Sequence, residues 1–173
     1  MGLCCKKIFA MLLLGLSGCA TGVPEGVIPV SGFELGRYLG KWHEIARLDH
    51  KFERGLTQVS AGYSMRDGGG VRVLNRGYDP AKKKWKEAEG RAYSIGDTSA
   101  GRLKVSFFRP FYGAYNIIEL DKENYGYSLV CGPDRSYLWI LARTPVLDAA
   151  ILKKHESKAA ALGFDAAKLI YHG

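Results

Sequence analysis

Between Gly40 and Arg143 the sequence breaks into eight short runs rich in β-branched and aromatic residues, and this rhythm constrains the fold more than any other feature. The runs read as Lys41 to His50, Thr57 to Arg66, Val71 to Tyr78, Trp85 to Ile95, Arg102 to Phe108, Ala114 to Leu120, Tyr127 to Cys131 and Tyr137 to Arg143. Turn-forming clusters such as Asp67-Gly68-Gly69-Gly70, Asp79-Pro80, Pro110 to Gly113 and Gly132-Pro133-Asp134 separate them. Alternation such as Leu103, Val105 and Phe107 against Arg102, Lys104 and Ser106 marks strands with one buried and one wet face. Short connections favour antiparallel neighbours, so the expected fold class is all-β, an eight-stranded antiparallel up-and-down meander. Closure into a barrel removes the two unpaired edges that such a sheet otherwise exposes. A barrel of that size holds packed side chains or one small ligand.

Beyond the last strand, Thr144-Pro145 and Asp148 mark the start of a C-terminal helix expected to run to about Leu162. Leu147, Ile151, Leu152 and Leu162 supply its apolar stripe, Lys153, Lys154, Glu156 and Lys158 its wet face, and Gly163 its left-handed stop. This helix packs outside the barrel, and Leu169-Ile170-Tyr171 reads as a short final strand. The length of 173 residues suits one such domain, placed at 33–173.

The amino-terminal stretch has the grammar of a secretion signal: Lys6 and Lys7, an apolar run from Ile8 to Leu16, then Ser17 and Gly18. That run falls short of the roughly 20 residues a membrane-crossing helix needs. The alternative start Met1-Gly2-Leu3-Cys4-Cys5 suits myristoylation less well, because the sixth residue is Lys6 where that pattern uses Ser or Thr. Leu16-Ser17-Gly18-Cys19 resembles the lipobox of bacterial lipoproteins. The resemblance implies a signal peptide at 1–18, acylation of Cys19, and a lipidated tether at 19–32 that is rich in Gly and Pro. Ala20 in the following position implies delivery to the outer membrane. Several acyl chains, at about 0.8 kcal/mol per buried methylene, anchor far more firmly than one.

With Cys4 and Cys5 removed and Cys19 acylated, Cys131 is left alone, so no disulfide forms within the folded part. It reads as a small buried hydrophobe. The chain carries a formal net charge of +8, and its densest basic run, Lys82-Lys83-Lys84-Trp85-Lys86, follows Asp79-Pro80 and reads as a solvated turn, not a nucleic-acid site.

Tyr38 to Arg47 contains the Gly40-x-Trp42 signature, and the segments Lys104 to Phe108, Tyr112 to Asp121, Val130 to Arg135 and Tyr137 to Pro145 extend the pattern. On these residues the chain resembles the lipocalin family, specifically its bacterial outer-membrane members. The resemblance implies a calyx whose closed end is plugged by Trp42, with Arg143 lying across the indole, an attraction of about 0.5 to 2 kcal/mol. It also implies a lipid carrier at the bacterial outer membrane, barrel toward the periplasm, holding a fatty acid or lysophospholipid for storage, transport or envelope maintenance. The family's second motif is departed from: Tyr115-Asn116 and Leu120-Asp121 stand in place of Thr-Asp-Tyr.

Strict alternation with Trp42 inward turns Glu44 and Ala46 inward too. The same parity nominates Tyr63, Val73, Ala92, Val105, Phe107, Ile117, Tyr137 and Trp139 as walls of the ligand cavity. Glu44 has two readings: a carboxylate of raised pKa that meets a lipid head group, or one half of a pair with an arginine near the barrel floor.

Two other classes of function are weighed. The four histidines, His43, His50, His155 and His172, lack metal-ligand spacing, and neither a Gly-x-Ser-x-Gly elbow nor a phosphate loop is present. A lipid-modifying enzyme would therefore depend on Cys131, and the chain is read as no enzyme and as needing no cofactor or metal. A structural envelope lipoprotein would fill the barrel with its own aromatics. Partners are thus a small apolar ligand and a membrane reached through the acyl anchor, with a homodimer left open.

Overall fold

The computed structural model describes residues 20–172; the signal segment and Cys19, to which acylation was assigned, lie outside the described residues. The chain forms α1 (Leu35–Tyr38), then β1 (Gly40–Arg47), β2 (Thr57–Met65), β3 (Val71–Asp79), β4 (Lys84–Ser94), β5 (Arg102–Phe108), β6 (Phe111–Leu120), β7 (Tyr127–Cys131) and β8 (Leu138–Ala142). Helix α2 (Ala149–Ala161), a 3-10 turn (Ala166–Lys168) and β9 (Ile170–Tyr171) follow.

Each strand pairs antiparallel with the next, and β8 returns to β1 through His43↔Ala142, Glu44↔Leu141, Ala46↔Ile140 and Arg47↔Trp139. The eight strands therefore close into a ring. β9 adds outside that order, on the free edge of β1, through Ala46↔Tyr171 and Arg47↔Ile170. It occupies the length of β1 that β2 leaves, since the β1 to β2 pairing covers only Gly40 to His43.

Two apolar clusters follow from the strand parity. One fills the floor of the ring, with Trp42, Tyr63, Val71, Val73, Ala92, Leu103, Ile117, Val130 and Leu141, and Phe33 and Tyr38 enter it from below. The other lies between the outer wall and α2, with Ile45, Ile118, Leu129, Ile140, Ala142, Ala159 and Phe164. Asp148 caps α2 by accepting from the backbone N–H groups of Ala150 and Ile151, and Gly163 ends it at φ 82°. The connections 66–70, 95–101 and 121–126 lie at the floor end with Trp42. The loop 48–56, the hairpin tips after β3 and β5 and the loop 132–137 form the mouth.

One expectation is corrected by the strand register. Between Glu44 and Ala46 the pairing with β8 slips by one residue, with Ile45 the extra residue of a β-bulge. The slip turns Ala46 outward into the cluster beneath α2 and brings Arg47 inward. Strict alternation cannot foresee this, because an extra residue reverses every face beyond it. Short helix α1, which closes the floor, is also absent from the strand rhythm; four residues are too few for a periodic signal.

Candidate functional site

The floor is built around Trp42, which is fully buried. Its Nε1 donates to the Tyr38 carbonyl at 2.8 Å, and its ring stacks on Tyr38 with centroids 4.5 Å apart. Arg143, just past β8, lays its guanidinium 4.0 Å from the centroid of the indole. The same group donates to three backbone carbonyls, Arg37, Lys41 and Tyr125, at 2.8, 3.0 and 3.1 Å. It thereby ties α1, β1 and the loop before β7 together beneath the indole. Gly40 has φ 96°, and a Cβ there would stand 3.2 Å from Arg143 Nη1, so both its backbone and its space favour glycine. The Gly-x-Trp spacing thus has a local cause.

Above the indole, three tyrosine hydroxyls share one chain of hydrogen bonds. Tyr63 donates to Tyr115 at 2.9 Å, Tyr115 and Tyr38 lie 2.8 Å apart, and Tyr38 reaches Ser128 Oγ at 3.1 Å. Burial pushes the Tyr38 phenol up to about 12, so these groups act as neutral hydrogen-bonding partners.

Val73, Ala92, Ile117 and Tyr63 are buried in the floor cluster, while Val105 and Trp139 pack on it and are only partly buried. Tyr137 stacks on Trp139 at 6.1 Å, and His50 meets the Trp139 ring edge-on at 5.2 Å. Phe107 shares the inward parity of Val105 but is exposed. Ala88, inward by its register opposite Asn75, is exposed as well. Apolar side chains therefore fill the lower half of the ring and leave inward-facing surface open above.

A buried polar cluster, of whose charged members alternation foresaw only Glu44, sits in the upper half. Glu44 Oε1 accepts from Arg47 Nη1 at 2.8 Å and lies 2.9 Å from His172 Nε2, and Arg47 and His172 are themselves in contact. Arg47 Nη2 also donates to the Glu53 carbonyl at 2.9 Å. Beside them Glu53 Oε2 sits 3.0 Å from His50 Nε2 and accepts from Trp139 Nε1 at 3.2 Å, while Asn75 donates to Glu53 Oε1. Burial raises the Glu44 pKa against the opposing pull of His172 and Arg47. Burial also acts upward on Glu53, but the hydrogen bonds and charge of His50 together with Trp139 outweigh it and hold that carboxyl low. Glu44 thus joins both earlier readings, a raised pKa and an arginine partner, and the arginine is on its own strand, not at the floor. The spacing Glu44-x-x-Arg47 carries no alternation signal because the bulge lies within it. His172 gives none at all, since only the path of β9 brings it here.

Among the described residues no three His, Cys, Asp or Glu side chains are grouped to hold a metal ion, and no helix is long and apolar enough to cross a membrane. Cys131 is fully buried in the outer cluster, away from the interior, and burial pushes its thiol up to about 12.

Comparisons with known proteins agree with this geometry. Residues 33–173 match the lipocalin-like domain family. The chain is 57% identical over 166 residues to the outer membrane lipoprotein Blc of Vibrio cholerae, covering 96% of this chain and 97% of the relative. It is 53% identical over 148 residues to the outer membrane lipoprotein Blc of Escherichia coli K12, covering 86% and 83%. Among solved structures, insecticyanin from the tobacco hornworm Manduca sexta superposes with a TM-score of 0.70 at 24% identity, covering 88% of this chain and 86% of that one.

Proposed function

Because the chain belongs to the lipocalin-like family, a membership that implies binding of small hydrophobic ligands, we propose that it is an outer-membrane lipoprotein carrying fatty acids or lysophospholipids. In this reading Cys19 is the acylated residue, the barrel faces the periplasm, and the cargo serves storage, transport or maintenance of the envelope. The acyl tail lies between Val105, Phe107, Trp139 and Tyr137, with the buried residues Val73, Ala92, Ile117 and Tyr63 beneath it. The head group stands at the level of Glu44, Arg47 and His172. The observation that carries the proposal is the inward-facing apolar surface left open above a filled floor.

Val105 provides the test. It pairs with Ala92 on one side and Gly113 on the other, so small neighbours leave room that an indole would occupy. Val105→Trp is expected to abolish displacement of a fluorescent fatty acid while leaving the unfolding free energy within about 1 kcal/mol of the parent. Saturable binding by the parent and its loss in the variant support the reading. A folded parent that binds no fatty acid or lysophospholipid overturns it. Glu44→Gln then separates roles: an unchanged affinity and pH profile removes that carboxyl from the head-group site.

The reading of Cys131 as a nucleophile is disfavoured by its position. Its thiol is buried on the outer side and held protonated, whereas a nucleophile needs the thiolate and a path to substrate.

A further inference from the structure

The mouth of the barrel differs from the floor in both polarity and charge. All four exposed phenylalanines among the described residues lie at the mouth: Phe52 in the loop after β1, and Phe107, Phe108 and Phe111 around the tip of the β5 to β6 hairpin. Phe108 and Phe111, paired across the hairpin, are 76% and 67% exposed, so the exposed rings cluster at one tip and are not scattered singly. The neighbouring hairpin, residues 79–86, carries four lysines against Asp79, which is already paired with Lys86. Arg109 adds another cation at the tip itself. By contrast the floor connections hold Asp67, Asp97, Asp121 and Glu123 against only Arg66 and Lys122.

The described chain enters at this same end. Ala20 forms a parallel bridge with Gly113, and Ala114 N donates to the Ala20 carbonyl at 2.8 Å. Since β6 runs from mouth to floor, a strand parallel to it also starts from the mouth. Gly113 is two residues from Phe111, about 7 Å along an extended strand.

We infer that the β5 to β6 tip, Phe108 and Phe111 with Arg109 between them, inserts into the surface of a bilayer containing anionic lipid, and that the mouth docks flat against the membrane. This rests on the proposed acylation of Cys19, which places the anchor one residue before Ala20. Apolar rings such as those of phenylalanine bury at the boundary between head groups and acyl chains, while lysine and arginine meet the negative surface just outside it. Anchor and tip then act as two contacts at one rim, fixing the orientation that a single flexible tether would leave free. An acyl ligand leaving the bilayer enters the barrel without crossing water.

The test uses the processed full-length lipoprotein in vesicles of phosphatidylethanolamine and phosphatidylglycerol with brominated acyl chains, which quench indoles that reach them. Phe108→Trp and Phe111→Trp report the tip, and Met65→Trp, at an exposed position by the floor, reports the far end. Each is read as the emission added to that of the parent. The tip indoles are expected to shift to shorter wavelength and lose most of that emission, while the floor indole keeps it. Equal quenching at both ends, or none at the tip, overturns the inference. A tip covered by a second copy of the chain would show the blue shift without bromine quenching, and that result also overturns it. Deuterium uptake by the hairpin of the unaltered protein checks the substitutions: slower exchange in vesicles than in detergent supports docking, and equal exchange opposes it. Intact mass of the same preparation reports acylation separately. If acyl mass is missing, the anchor reading fails, and tip docking is decided by the same quenching after mixing unacylated protein with the vesicles.

Discussion

Replacing Arg143 should reveal how much of the floor's stability comes from one side chain. Its guanidinium lies over the Trp42 ring and donates to the carbonyls of Arg37, Lys41 and Tyr125. The cation–π contact is worth about 0.5 to 2 kcal/mol. Each carbonyl bond is taken at roughly 0.5 to 1 kcal/mol, the lower part of the net range, because water reaches the group and those carbonyls once it is gone. Arg143→Ala should therefore cost about 3 kcal/mol, and Arg143→Lys, which keeps a charge over the indole but not the planar fork, about 1.5 to 2 kcal/mol. Urea denaturation followed by tryptophan emission measures both; with a slope near 2 kcal/mol per molar, the alanine variant loses roughly 1.5 M in midpoint. If the lysine variant unfolds with the parent, the carbonyl fork contributes nothing and the reasoning about closure is wrong.

Three further outcomes follow from the same geometry. Ala46→Leu should destabilise by about 1 to 3 kcal/mol through overpacking beneath α2 while leaving fatty-acid affinity intact; lost affinity without lost stability would put Ala46 back inside the barrel. Burial lowers the pKa of His155, which donates from Nδ1 to the Ile151 carbonyl and meets Tyr127 edge-on. The unfolded chain therefore takes up that proton first as pH falls below 6.5, so stability declines there, and His155→Leu should flatten this acid limb in denaturation curves; an unchanged slope refutes the assignment. Cys131 should react with a maleimide only after unfolding, and fast labelling of the native protein, followed by mass, would contradict its burial.

The ring itself was legible from turn clusters and alternation, since Arg102–Phe108 and Tyr127–Cys131 have the expected bounds and the other strands differ at their ends only. Trp42 and Arg143 meet as the family resemblance implied, and Asp148 and Gly163 bound α2 as capping chemistry requires. Beyond Glu44 itself, the polar cluster was not legible. Ile45 interrupts the alternation without any glycine or proline to announce it, so Ala46 and Arg47 exchange faces. His172 joins Glu44 across more than a hundred residues of sequence, a pairing set by where β9 finds an open strand edge. Periodicity reports a neighbourhood of a few residues; it is silent on contacts made by the last strand of a chain.

Ala20 beside Gly113 sets the amino-terminal end of the described chain near the mouth, whereas β9 runs from the mouth toward the floor and leaves His172 partway down β1, beside Glu44. Under the proposed docking, a handle placed on the mouth hairpins competes for space with the membrane. A reporter meant to leave that contact undisturbed belongs in the Asp67 to Gly70 turn, at the opposite pole.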